Sequence, residues 1–184
     1  MGQLQHQIYS SIMAKTFVTS NLQLGRPGAI KKYNRSYENV DQMTDDLIAK
    51  WNTIITKHDT VYHLGNFAWD PRTAQDAILR LNGNIKFVLG EHDEAIQVLD
   101  AKGMLRNGCS IAKCIEEDRE NEVVLSYWPL SYWPNKAKKW YNIIGFPQKS
   151  FKSDPKKKVI NASTDFWSNK PQELNKVVGI FNDF

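Results

Sequence analysis

Five short apolar runs in this sequence end in the same way, and these endings constrain the fold more than any other feature. Each run finishes in Ser or Gly and is followed at once by a large side chain, giving Ser20-Asn21, Gly65-Asn66, Gly90-Glu91, Ser126-Tyr127 and Gly145-Phe146. Any one of these pairs is also an ordinary turn signal. In open α/β sheets, however, sites form beyond the carboxyl ends of the strands, where small residues let side chains converge. Five such endings in succession therefore predict a common edge with a site along it.

Helical patterns separate the early apolar runs. The apolar side chains between Met43 and Ile55 recur on one face of a helix. Asp70 followed by Pro71 is typical of an N-cap and first turn, and residues 94–101 predict a further short helix. Strands are predicted at residues 16–19, 60–64, 85–89, 123–125, 141–144 and 159–161. Strands alternating with helices, followed by several more strands, predict a layered α/β fold.

The composition is that of one folded domain. The chain has 184 residues, of which 41% are hydrophobic and 24% charged, and no apolar run approaches the roughly 18 residues of a membrane span. Two cysteines are too few for a disulfide framework, which favours a reducing compartment such as the cytoplasm. Residues 1–13 precede the first strand, and we expect them to be a flexible extension. Residues 14–184 are expected to form the single domain.

The strand-end residues resemble the motif skeleton of calcineurin-like metallophosphoesterases of the small bacterial and phage type. That family carries D-x-H, G-D, G-N-H-D, S-H-Y-P and G-H-x-H in this order. The corresponding stretches here are Asn21-Leu22-Gln23, Gly65-Asn66, Gly90-Glu91-His92-Asp93, Ser126-Tyr127-Trp128-Pro129 and Gly145-Phe146-Pro147-Gln148. The match spans about residues 16–170. It implies a two-layer β-sandwich flanked by helices, in the four-layer order α/β/β/α.

The resemblance also implies where the two metal ions of that family would be held. The seven ligand positions are occupied here by Asn21, Gln23, Asn66, Glu91, Tyr127, Phe146 and Gln148. Every ligand type that the family uses is replaced. Only His92, at the position of the family's catalytic histidine, and Asp93 remain from the signature, and we expect both to be relics without a catalytic role.

These replacements remove the negative charge that a pair of metal ions would require. Two divalent cations about 3.5–4 Å apart repel by roughly 19 kcal/mol at an effective dielectric constant of about 20, and carboxylates must neutralise that repulsion. Among the seven residues only Glu91 carries a charge. We therefore expect no metal, no cofactor and no phosphoester hydrolysis. One weakly bound Mg²⁺ or Ca²⁺ on Glu91, or a small ligand in an amide-lined pocket, stays open as an alternative.

The positive charge of the chain is concentrated in one segment. Residues 136–158, called the basic segment below, contain eight lysines and one aspartate, a net charge of +7, whereas the whole chain carries +4. Aromatic residues interleaved with lysines suit single-stranded nucleic acid, Trp and Tyr clusters equally suit a protein interface, and lysine-rich loops are commonly just solvated. The candidate partner-binding residues are Trp128, Tyr132, Trp133, Lys136, Lys138, Lys139, Trp140, Lys156, Lys157 and Lys158.

Taken together, these features favour a catalytically inactive metallophosphoesterase-like protein that docks on a partner protein and modulates it. Its expected location is the cytoplasm, or the host cytoplasm if a phage encodes it, without membrane association. Two alternatives remain from the sequence. One is a residual or altered metal-dependent phosphoesterase, and the other is a nucleic-acid-binding module that uses the basic segment.

Overall fold

The computed structural model describes residues 14–138, 140–147 and 151–182, without the side chain of Asn182. The expected extension at residues 1–13, together with Lys139 and Gln148, lies outside the described residues. The strands are β1 (Thr16–Thr19), β2 (Thr60–His63), β3 (Asn84–Phe87), β4 (Ser110–Ile111), β5 (Ile115–Asp118), β6 (Val123–Ser126), β7 (Tyr141–Ile144), β8 (Val159–Asn161) and β9 (Gln172–Glu173). The helices are α1 (Gly28–Tyr33), α2 (Val40–Asn52), α3 (Pro71–Arg80), α4 (Glu94–Ala101) and α5 (Leu174–Asn182).

The strands form two mixed sheets. The first has the order β4-β3-β2-β1-β9, with β1 to β4 parallel and β9 antiparallel to β1. The second has the order β5-β6-β7-β8, with β5 antiparallel to β6 and the other pairs parallel. The protein is therefore an α/β fold of two mixed sheets flanked by helices, and the layered α/β class predicted from the sequence is confirmed.

Alternating side chains of the first sheet build two separate cores. Phe17 and Val61 face a cluster that includes the buried helical residues Met43, Trp51 and Ile78. Their neighbours face the second sheet, in a cluster with members from both sheets and from α5: Val18, Tyr62, Leu64, Val88, Val123, Leu125, Tyr141, Ile143, Ile160, Ala162, Leu174, Val177 and Val178. The central strands β1 and β2 are thus buried on both faces, as the period of two in a strand allows. The two sheets pack face to face.

The helix N-caps follow local sequence chemistry. The side chain of Asp70 accepts a hydrogen bond from the backbone N–H of Thr73 at 3.0 Å, and Pro71 occupies the first helical position of α3. Both features agree with the N-cap prediction. The side chain of Asn39 caps α2 in the same way by accepting from the N–H of Gln42. These caps orient α2 and α3 against the first sheet.

Aromatic side chains cover part of the outer face of the second sheet. There Val124 packs against the indole rings of Trp133 and Trp140, which come from the loop between β6 and β7. That loop contains one turn of 3-10 helix, Lys136–Lys138, among its described residues. The two buried Trp side chains thus supply apolar cover for this face.

One further expectation concerns membranes. Within the described parts of the chain, no helix is both long enough and apolar enough to cross a bilayer.

Candidate functional site

The loops that follow β1 and β2 run side by side at the carboxyl edge of the first sheet. The backbone N–H of Asn21 donates to the carbonyl of Gly65 at 2.9 Å, and that of Gln23 donates to the carbonyl of Asn66 at 3.0 Å. Asn21, Gln23 and Asn66 all have left-handed backbone conformations, with φ between 56° and 61°. Such a conformation costs an L-residue about 1–2 kcal/mol, least for Asn. Strained residues at the predicted strand ends mark this edge as the candidate site.

The second sheet meets the first at the same edge. The hydroxyl of Ser20 donates to the carbonyl of Gly145 at 3.0 Å, which joins the loops after β1 and β7. A Cβ at Gly65, whose φ is +91°, would lie 2.4 Å from the ring of Tyr127 and 2.7 Å from the Cα of Gly90. All five predicted strand ends thus meet at this edge. Gly90 and Tyr127 approach Gly65 so closely that only glycine fits there.

Two of the predicted ligand positions belong to a directed chain of hydrogen bonds. The guanidinium of Arg26 donates to Gln23 Oε1 at 2.8 Å, Gln23 Nε2 donates to Asn21 Oδ1 at 2.8 Å, and Asn21 Nδ2 donates to Asp165 Oδ2 at 2.8 Å. Arg26 can only donate and the ionised Asp165 can only accept. The two ends of the chain therefore fix the orientation of both amides. We call these four residues the amide chain.

A buried arginine closes the amide chain at its acidic end. Arg35 binds both carboxylate oxygens of Asp165, with N–O distances of 2.7 and 3.0 Å, and also donates to the carbonyls of Asn21 and Leu22. Only 2% of the Arg35 side chain is exposed. Bidentate pairs of this kind are geometrically specific, and a buried arginine requires such a partner. Asp165 supplies the negative charge that balances the buried guanidinium of Arg35.

Sequence reasoning missed Arg26, Arg35 and Asp165. Asp165 lies 144 positions from Asn21 and 130 from Arg35, so no local pattern connects them. One signal was available. The residues Ala162 to Asp165 follow β8, and a polar side chain after small residues at a strand end is the same feature that identified the other five positions.

We expect Asn21→Asp to lower the free energy of unfolding by about 2 kcal/mol. The substitution exchanges the amide N–H donor for a second carboxylate oxygen, 2.8 Å from Asp165 Oδ2. Like charges at that distance repel, and a buried donor–acceptor pair is lost. The measurement is urea-induced unfolding at pH 7.

The matched control is Asn39→Asp, the same exchange at the exposed N-cap of α2. There the side chain only accepts, from the backbone N–H of Gln42, and a carboxylate accepts equally well. We expect this control to change the free energy of unfolding by no more than about 0.5 kcal/mol. Equal stability of Asn21→Asp and wild type would contradict the hydrogen bond assigned here.

The other predicted positions that the structure describes, Asn66, Glu91, Tyr127 and Phe146, surround a small pocket beside the amide chain. Asn66 Nδ2 donates to the hydroxyl of Tyr127 at 3.0 Å, and Asn66 Oδ1 accepts from the backbone N–H of His92 at 3.1 Å. The ring of Phe146 packs edge-on against Tyr127, with centroids 5.8 Å apart. With Glu91 these residues line a cavity of about 230 Å³. The cavity is smaller than the roughly 300 Å³ at which ordinary ligand sites begin.

Asp93 and His92, the two residues that the resemblance matches to the family signature, differ in their contacts. Asp93 is buried, and its carboxylate accepts hydrogen bonds from the backbone N–H groups of Asn66, Phe67 and Gly90 at 2.6–2.8 Å. Burial raises the pKa of Asp93, and the three backbone donors oppose that shift. Asp93 thus ties together the loops after β2 and β3. The side chain of His92 is half-buried and lines the pocket.

The donor set at this edge does not fit a pair of divalent cations. The side-chain oxygens of Asn21, Gln23 and Asn66 each accept a hydrogen bond already. Burial raises the pKa of Tyr127 to about 12, so its hydroxyl is neutral at pH 7. Within the described residues, no group of three His, Cys, Asp or Glu side chains is placed to hold a metal ion. Glu91 is exposed and contributes the one carboxylate that lines the pocket.

The predicted partner-binding residues separate into exposed and structural ones. Trp128 and Tyr132 are 51% and 78% exposed, as a contact role requires. Trp133 and Trp140 are core residues, 1% and 8% exposed, and Trp133 Nε1 donates to the carbonyl of Trp140. Their burial corrects the prediction for both rings, since a buried ring cannot stack on a partner.

The lysines of the same prediction also differ among themselves. The ammonium of Lys158 donates to the carbonyl of Lys136 at 2.8 Å, and the side chain is half-buried, so Lys158 joins two loops instead of facing solvent. Lys138, Lys156 and Lys157 are exposed. The three consecutive lysines at residues 156–158 are therefore not equivalent.

Comparison with known proteins gives two relatives without an assigned function. The chain is 27% identical over 174 residues to the uncharacterized protein MJ1445 of Methanocaldococcus jannaschii, and the alignment covers 90% of each. Its fold resembles the crystal structure of the protein of unknown function AQ665 from Aquifex aeolicus, with a TM-score of 0.64 and 16% identity. That match covers 91% of this chain and 100% of the other. No protein-family model matches the chain. These likenesses extend to the fold alone.

Proposed function

We propose that this protein has a metallophosphoesterase-like fold whose metal site has been replaced, and that it acts as a non-catalytic binding protein. One observation carries the proposal. At the positions where the resemblance places metal ligands, amide side chains bind one another and two flanking charged groups, Arg26 and Asp165. A site made for cations would instead direct its oxygens toward a shared open position.

The chemistry of hydrolysis supports the same proposal. In a two-metal phosphoesterase the ions activate the attacking water and neutralise charge on the transferring phosphoryl group. The carboxylates that would hold such ions are absent from the positions of Asn21 and Asn66, and Phe146 has no donor atom at all. Asp93 accepts hydrogen bonds from three backbone N–H groups, which gives it a structural role beside His92.

The exposed aromatic residues support a protein as the partner. Trp128 and Tyr132 lie on the loop between β6 and β7, and Trp128 packs on Phe146 with ring centroids 4.8 Å apart. Trp and Tyr are the residue types that most often dominate the binding energy of protein interfaces. The proposed role is docking on a partner protein and modulating it, with this loop as part of the contact.

Hydrolysis of bis-p-nitrophenyl phosphate with added Mn²⁺ tests the loss of catalysis. We expect wild type and His92→Ala to release p-nitrophenol at the same rate, indistinguishable from Mn²⁺ alone. We also expect elemental analysis of the purified protein to show no stoichiometric metal. Turnover that depends on Mn²⁺ and disappears in His92→Ala would reject the proposal and establish the alternative, a residual phosphoesterase. Loss of bound metal in Glu91→Gln would then place the metal ion at Glu91.

A further inference from the structure

An open groove lies beside the candidate site, on the outer side of the second sheet. Its volume is about 920 Å³, and it is lined by the stretch from Pro129 to Lys136 on one side and by residues 151–157 on the other. Phe151, at one end, packs on Phe146 with ring centroids 5.5 Å apart, so the groove adjoins the small pocket at the strand ends. It is four times larger than that pocket.

The groove combines an apolar floor with a basic rim. Leu130, Trp133 and Val159 lie at the floor and belong to or contact the aromatic core of the outer face, and Phe151 is 39% exposed. The rim carries four lysines and one aspartate, a net charge of +3: Lys136, Lys152, Lys156, Lys157 and Asp154. Such a surface is complementary to a ligand that is both apolar and negatively charged.

Asp154 is the one carboxylate among the described residues that line the groove, and it binds groups of its own turn. Asp154 Oδ1 accepts from the backbone N–H groups of Lys156 and Lys157 at 3.0 and 3.3 Å, and the ammonium of Lys157 lies 3.5 Å from Oδ2. Lys152 and Lys156 are exposed, and no carboxylate among the described residues pairs with either. These two ammonium groups are thus available to bind an anionic partner.

The aromatic geometry favours a peptide over single-stranded nucleic acid. Base stacking needs exposed ring faces in succession. In the groove, Trp133 is buried and the Lys136 ammonium covers its ring, 4.2 Å from the centroid, which leaves Phe151 as the exposed ring among the described lining residues. Aliphatic floor residues such as Leu130 and Val159 suit an apolar side chain instead.

We propose that this groove binds an extended acidic peptide segment of the partner protein, with an apolar side chain set between carboxylates. The inference rests on the proposed function, whose partner it describes. The apolar side chain contacts Leu130 and Phe151, and the carboxylates face Lys152 and Lys156. Affinity then depends on both charge and apolar contact, and salt weakens only part of it.

Selection from a phage-displayed library of random twelve-residue peptides on the full chain tests this inference. We expect enriched peptides to carry several Asp or Glu around a Phe, Leu or Trp. Synthetic copies should bind Lys152→Glu/Lys156→Glu at least about tenfold more weakly than wild type by fluorescence anisotropy. Phe151→Ala should reduce the affinity as well. The matched control is Lys57→Glu/Lys102→Glu, which makes the same charge change at two exposed lysines outside the groove.

Several outcomes would overturn the inference. No enrichment, enriched peptides without acidic residues, or equal weakening by the two double variants would each do so. If a single-stranded oligothymidylate of twenty nucleotides competes with the peptides and binds more tightly than they do, the groove would be assigned to nucleic acid.

The chain could instead self-associate, and loss of that self-association in Lys152→Glu/Lys156→Glu would assign the groove to a second copy of the chain. The acidic edge strand β5 of that copy carries Glu116, Glu117 and Asp118. The phosphoesterase assay fails or succeeds independently of all these results, so the two proposals can be rejected separately.

Discussion

Replacing Gly145 by alanine should lower the free energy of unfolding by at least about 4 kcal/mol or prevent folding. A Cβ at this position would lie 1.6 Å from the carbonyl oxygen of Leu64 and 2.7 Å from its carbonyl carbon. These are backbone atoms. The N–H of Leu64 also donates to the carbonyl of Thr19 at 2.8 Å, which holds the segment in the first sheet. A methyl group can therefore be accommodated only if the two sheets separate at their shared edge.

The matched control is Gly179→Ala in α5. That position is exposed, and a Cβ there meets nothing within 4 Å. Alanine in a helix interior is more favourable than glycine by roughly 0.5–1 kcal/mol, so this variant should be slightly more stable than wild type. Urea-induced unfolding followed by tryptophan fluorescence measures both. A Gly145→Ala protein as stable as wild type would contradict the close approach of the sheets.

The second large effect concerns pH. We expect the difference in free energy of unfolding between His63→Leu and wild type to shift by about 2.7 kcal/mol in favour of the variant when the pH falls from 7.5 to 4.5. His63 is fully buried in β2, and its two ring nitrogens have no hydrogen-bond partner among the described residues. It packs edge-on against Phe67, with ring centroids 5.1 Å apart. Burial lowers the pKa of His63 from 6.5 to about 3.

The sign follows from proton binding in the two states. Between pH 6.5 and 3 the unfolded chain binds a proton at this histidine and the folded chain does not. The folded state therefore loses about 1.4 kcal/mol for each pH unit below 6.5, and leucine removes that loss. Above pH 7 the difference between variant and wild type should stay constant.

Urea unfolding at several pH values between 4.5 and 8 measures this difference. The control is His58→Leu, the same exchange at an exposed side chain, and the pH-dependent gain should be confined to His63→Leu. A constant difference between His63→Leu and wild type across the whole range would show that the imidazole takes up its proton in the folded state.

Local sequence chemistry was enough for most of the regular structure. The predicted strands at residues 16–19, 141–144 and 159–161 and the helix at 94–101 have the observed bounds. Among the strands and helices of the described residues, five were not predicted: the helices α1 and α5, the strand β5 and the two-residue strands β4 and β9. A two-residue strand has no periodicity to detect, and its conformation depends on pairing with a neighbouring strand.

The sequence predicted which strand ends form the candidate site, but not the hydrogen bonds that connect the residues there. The strand-end pattern identified Asn21, Gln23 and Asn66, because small residues before large ones are a local feature. Arg35 lies at no strand end and could not be found in this way. The strand-end signal at Asp165 does not reveal its partners, because hydrogen-bond partners are brought together by the packing of distant loops. Equally, nothing in the aromatic run distinguishes the exposed Trp128 from the buried Trp133.

The sequence by itself determined the alternation of strands and helices, the five similar strand ends and the scarcity of charged side chains at them. These are properties of residue type and spacing. Only the tertiary structure decided that Asn21 and Gln23 join an amide chain ending in Asp165, and that Lys158 is structural while Lys152 and Lys156 face an open groove. The physical reason is that burial and hydrogen-bond satisfaction are set by which segments pack together, and residues far apart along the chain supply them.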